Sequence, residues 1–109
     1  MLELQQNQQA LAAFKQSLSY QPNHLAAQQG KGIALYRLGN YAQAMETFER
    51  ILQRDNLTDQ QQAINLLYQG TSLCQTSQAN AATQAFKQVL QLTDSVPLRK
   101  IAQAGCGIR

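Results

Sequence analysis

Charge is scarce in this chain. Only 14% of its 109 residues are Asp, Glu, Lys or Arg, and the net charge is +3. Lys31, Arg37, Arg50, Arg54, Lys87, Arg99 and Lys100 are scattered, and no basic run exceeds two. The concentrated basic stripe with interleaved aromatics that a nucleic-acid groove needs is missing, so these charges read as a solvated surface. Histidine is scarcer still. The single His24 stands beside Asn23 at a helix start, where a capping or solvated role fits. One histidine and two cysteines complete neither a zinc set nor a nucleophile with its base. Gly30-Lys31-Gly32 is too short for a phosphate-binding loop. No catalytic residue, metal or cofactor is therefore expected, and the chain reads as a non-enzyme. Cys74 and Cys106 are too few for a disulfide framework and form no Cys-x-x-Cys pair. They are expected to be reduced thiols packing as small apolar residues. No apolar stretch approaches the roughly 18 residues of a membrane span. The opening residues lack the basic and apolar regions of a signal peptide, which points to a cytoplasmic protein. Nothing alternates as a strand would.

What is present is a repeat. The phrase Ala-x-x-x-Phe recurs at Ala10 and Phe14, Ala44 and Phe48, and Ala82 and Phe86, at steps of 44 − 10 = 34 and 82 − 44 = 38 residues. A recurrence of that length means stacked units, each burying its apolar face only against its neighbours. Apolar residues at helical spacing run through residues 7–20, 24–38 and 41–54, then through Ala63, Leu66, Leu67, Gly70 and Leu73, and through Ala79, Ala82, Phe86, Val89 and Leu90. Gly39-Asn40 and Pro22-Asn23 punctuate the first three helices, and Asn23 is a candidate cap. Thr58 to Gln61 has capping-box spacing. The four extra residues of the second step fall within residues 55–62, in a longer loop or an extra turn of the next helix. Pro97 suits the first turn of a last helix reaching about Gly105. Glutamine is frequent and dispersed, as a soluble helix surface uses it.

Gly32 and Ala44 are twelve apart, and so are Gly70 and Ala82. Small residues at matched positions let two helices cross closely. With Leu35, Tyr41, Leu66, Leu73 and Phe14 followed eight residues later by Pro22, this pattern resembles the tetratricopeptide repeat. The resemblance covers about residues 6–94, two and a half to three repeats. Another two-helix solenoid or a plain antiparallel bundle would share the periodicity. Departures stand at Gln28, Lys31 and Gln69, where large apolar residues are expected, and at Asn56 and Asp94 in place of the closing proline. The resemblance implies an all-α, right-handed solenoid of antiparallel helix pairs. Residues 1–23 would be the second helix of a partial repeat, 24–57 and 58–94 repeats, and 95–109 a terminal or truncated helix. Residues 1–5 would be the stub of a missing first helix. An open apolar strip at Leu4, Leu11 and Leu18 would then be covered by a neighbour, within a longer repeat protein or a homo-oligomer.

The resemblance also implies where a partner sits. First helices line the concave face, which here offers Gln29, Ile33, Tyr36 and Arg37, then Ile64, Leu67, Tyr68, Thr71 and Gln75, extended by Leu98, Ile101 and Ala102 if the last helix continues the stack. The positions that grip chaperone carboxylates in one subclass read Gly30, Ile64 and Tyr68, and none of these can pair with a carboxylate. An apolar, aromatic lining with amide rims suits an amphipathic helix or extended apolar segment of a partner protein. Tyr36 and Tyr68 are the expected anchors. A protein-interaction module is the leading expectation, and self-assembly through the terminal helices the alternative; no nucleic-acid or membrane partner is expected.

Overall fold

The computed structural model describes residues 2–107. Six helices follow one another: α1 Leu2–Tyr20, α2 Leu25–Arg37, α3 Tyr41–Leu52, α4 Asp59–Gln75, α5 Ala79–Leu92 and α6 Val96–Ala104, with a closing 3-10 turn at Gly105–Gly107. No strand occurs among the described residues. Each helix packs on the next, and α2, α4 and α6 also meet in turn. This is a stack of helix pairs, as the spacing predicts.

The turns explain the pairing. In the α2–α3 turn Gly39 has φ +83, and the Asn40 N–H donates to the Leu35 carbonyl at 2.9 Å. In the α4–α5 turn Ser77 takes that place at φ +62, and the Gln78 N–H donates to the Leu73 carbonyl at 2.9 Å. Both turns close a helix by the same left-handed device. The four extra residues become helix: α4 has 17 residues and α2 has 13, and 17 − 13 = 4. Four residues make about one turn, so the inserted length leaves the inward face in register. The added turn opens on a full capping box, with the Gln61 N–H donating to Thr58 Oγ1 at 3.1 Å and the Thr58 N–H to Gln61 Oε1 at 3.0 Å.

Two expectations need correction. His24, not Asn23, caps α2: its Nδ1 accepts the Ala27 N–H at 3.1 Å. Asn23 lies one residue too early, and its carbonyl instead accepts from Arg54. Residues 2–5 form no separate stub, since α1 runs unbroken from Leu2.

The core consists of two clusters. One gathers Leu35, Ala44, Phe48 and Ile51, with Leu11, Ile33, Tyr36 and Tyr68 packed against it. The other gathers Ala63, Leu67, Ala82, Phe86, Val89 and Ala102. A Cβ on Gly32 would come within 2.7 Å of the Phe48 ring, and one on Gly70 within 2.6 Å of Phe86. On its other face Phe48 stacks on Tyr68, with centroids 5.5 Å apart and planes 15° apart. Each phenylalanine thus wedges between its own first helix and the first helix of the next pair. Phe14 repeats the inter-pair half of this contact by lying over Gly30, the position in α2 that Tyr68 fills in α4. Ala102 fills it in α6, against the Phe86 cluster.

Leu11 therefore does not belong to an open strip. It is half-buried against the Phe48 cluster, and Leu18 is half-buried too. Leu2 and Leu4 stay open, at 68% and 51% exposure.

Candidate functional groove

The first helices α2, α4 and α6 contribute side chains to a shared trough. Tyr36 from α2, Ile64, Leu67, Tyr68 and Thr71 from α4, and Leu98 and Ile101 from α6 line a cavity of about 370 Å³. Positions 64, 67, 68 and 71 follow the i, i+3, i+4, i+7 rule for one helix face. Hydrocarbon and aromatic surface dominates, and among the described residues no charged side chain lines it. Next to it, a smaller hollow of about 180 Å³ shares Tyr36, Thr71 and Ile101 and adds Cys74, Gln75, Gly105 and Cys106.

Five of the nine residues predicted for the groove thus line the main cavity: Tyr36, Ile64, Leu67, Tyr68 and Thr71. Gln75 lines the hollow beside it. Gln29 has a different occupation, its Oε1 accepting from Asn65 Nδ2 at 3.2 Å across α2 and α4. Ile33 packs against the Phe48 cluster. Arg37 lines a separate hollow with Glu3, Gln6 and Asn7 of α1.

The two tyrosines are also structural. Tyr36 packs edge-on to Tyr41 at 5.5 Å and to Tyr68 at 6.0 Å, while Tyr68 stacks on Phe48. Removing either ring would disturb the stack as well as the lining. Ile64 and Ile101 touch the groove without that second duty, and Ile101 is 37% exposed.

The reduced-thiol expectation is overturned. Cys74 and Cys106 form a disulfide, with Cα atoms 5.4 Å apart and a sequence separation of 32. Helical spacing gave no signal for it, because the approach depends on the chain turning at Gly105, which has φ +59. Sequence reasoning also missed Asn65, fully buried on α4 with its Nδ2 donating to the Gln61 carbonyl at 2.8 Å. No three of His, Cys, Asp and Glu come together to hold a metal ion among the described residues.

A stack of helix pairs with an apolar trough along its first helices defines the class, an α-helical repeat solenoid. Residues 1–67 match the family model described as tetratricopeptide repeat, so the chain belongs to the tetratricopeptide repeat family. The family mediates protein–protein interaction, and its repeats are typically non-catalytic. No curated protein and no solved structure matches the chain. No helix among the described residues is long and apolar enough to cross a membrane.

Proposed function

We propose that this chain is a non-catalytic docking module of the cytoplasm that holds an amphipathic helix or extended apolar segment of a partner protein across α2, α4 and α6. The observation that carries this reading is the apolar, aromatic-lined cavity of about 370 Å³ between Tyr36, Ile64, Leu67, Tyr68, Thr71, Leu98 and Ile101. Its contributors come from three first helices, so a bound segment would run across the pairs and bury apolar side chains at several points. The amide of Gln75 supplies a polar rim, and Thr71 a hydroxyl within the lining.

The test is a displayed peptide library selected against the chain, with the enriched peptides measured by calorimetry. Amphipathic apolar peptides should bind, and Ile64→Glu or Ile101→Glu should weaken them by roughly tenfold or more, about 1.4 kcal/mol. Arg50→Glu on the exposed side of α3 should leave affinity unchanged. Peptides that bind the Ile64→Glu and Ile101→Glu forms as tightly as the parent would rule the groove out.

A second reading rests on a separate observation. Helix α1 has no buried residue, and Leu2 and Leu4 are exposed near its start. Self-association through α1 would cover them. Light scattering across a concentration range distinguishes the two: mass that rises with concentration and falls back in Leu4→Glu supports assembly, whereas a constant monomer dismisses it.

A further inference from the structure

We infer that Cys74 and Cys106 form a reversible thiol–disulfide site that fastens the α6 wall of the groove to α4. The reason lies in how little else holds the far end of α6. This helix has nine residues, and its one buried residue is Ala102. Helices that short are not stable alone in water. Its first turn is well anchored. Arg99 Nη1 donates to the Leu90 carbonyl at 2.6 Å and to the Thr93 carbonyl at 3.1 Å, taking up carbonyls at the end of α5. Among the described residues no side-chain hydrogen bond of this kind holds the last turn, where Ile101 lines the trough and the chain swings into Gly105–Gly107, which packs on α5 and α4. There the ties among the described residues are apolar packing, led by Ala102 against the Phe86 cluster, and the covalent bond from Cys106 to Cys74.

The bond is also reachable. Both cysteines are half-buried and line the hollow of about 180 Å³ beside the groove, with Tyr36, Thr71, Gln75, Ile101 and Gly105. A dithiol reductant, small or carried on a protein, can attack there. Its thiolate bonds to one cysteine sulfur, the Cys74–Cys106 bond breaks, and the other sulfur leaves as a thiolate that takes a proton. The reductant's second thiol then displaces the remaining cysteine. The reductant departs as a disulfide, and Cys74 and Cys106 carry away two electrons and two protons as thiols. Oxidised glutathione runs the exchange in reverse and leaves as two reduced molecules.

Reduction frees the last turn of α6, so Ile101 loses its fixed place opposite Tyr36 and Ile64. That consequence for binding rests on the proposed groove; the release of α6 does not. In a cytoplasmic setting thiols are kept largely reduced, so the state of this pair would follow its redox surroundings.

Intact mass and amide hydrogen exchange test the site on the whole chain. After oxidised glutathione the protein should be lighter by two hydrogens, and dithiothreitol should restore them. Amides of residues 101–104 should exchange roughly tenfold faster in the reduced form, while α2 and α3 stay unchanged. Reoxidation should restore protection, and the Cys74→Ser/Cys106→Ser variant should exchange fast in both buffers. Equal protection of α6 in the two forms overturns the inference, as does a mass that keeps both thiols after oxidation. Loss of protection throughout the chain on reduction also overturns it, since the bond would then staple the whole fold. If no peptide binds the groove but α6 still answers to reductant, the docking function fails and the thiol–disulfide site stands.

Discussion

The glycines of α2 separate two kinds of close packing. Gly32 faces Phe48, which is completely buried and has nowhere to move. Gly30 faces Phe14, a half-buried ring on the outer helix that can swing toward solvent. Alanine adds helix propensity worth about 1 kcal/mol at either site, but overpacking a rigid core costs about 1–3 kcal/mol. Gly32→Ala should therefore destabilise by up to about 2 kcal/mol in urea unfolding, and Gly30→Ala should cost distinctly less. Equal effects would mean that Phe48 is not the fixed wedge its burial implies. Ser72 gives the opposite case. Its hydroxyl is buried on α4 without a hydrogen-bond partner among the described residues. Because an orphaned buried polar group costs about 1–3 kcal/mol, Ser72→Ala should raise the unfolding midpoint by an amount worth about 1 kcal/mol. The small residues at 32, 44, 70 and 82 were legible in the sequence because their twelve-residue interval recurs. Asn65 was not: nothing in its spacing shows that Gln29 stands across the helix crossing to accept its amide.

Helix boundaries follow local chemistry, which is why they were the most legible part of the fold. The capping box at Thr58 and the break at Gly39 both appear where their residue types point. His24 escaped because its ring caps through Nδ1, a role that Asn23 beside it fills more commonly. The α4–α5 turn escaped because Ser77, with an ordinary side chain, occupies the left-handed position that Gly39 holds in the preceding pair. A non-glycine residue in that conformation costs about 1–2 kcal/mol. Ser77→Gly should therefore stabilise the chain, by about 1 kcal/mol after allowing for the greater freedom of glycine in the unfolded state. Gly39→Ser should be destabilising by a similar amount. Thermal unfolding of the two variants would show opposite shifts, and matching shifts would contradict the equivalence of the turns. Thr58→Ala should cost about 1 kcal/mol by removing one arm of the capping box.

Across the whole molecule, stability is carried from pair to pair, and Phe48 is the joint. Its ring touches Gly32 within its own pair and Tyr68 in the next, while Phe86 organises a cluster of α4, α5 and α6 that the Cys74–Cys106 bond closes on itself. The family pattern revealed the wedge residues but not this asymmetry, because the disulfide depends on the turn after α6. In a stack with only nearest-neighbour contacts, weakening one joint need not unfold the units beyond it. Phe48→Ala removes about 3–5 kcal/mol of core packing and leaves Tyr68 without its stacking partner. The N-terminal side has little to compensate, since α1 has no buried residue and leans on α2 alone. The oxidised Phe48→Ala protein should therefore lose exchange protection across α1, α2 and α3 while α5 and the C-terminal half of α4 keep theirs. Phe86→Ala should spread further, because it opens the cluster that anchors both α4 and α6. A single cooperative loss of protection through all six helices in Phe48→Ala would show that the pairs are coupled more tightly than their contacts indicate.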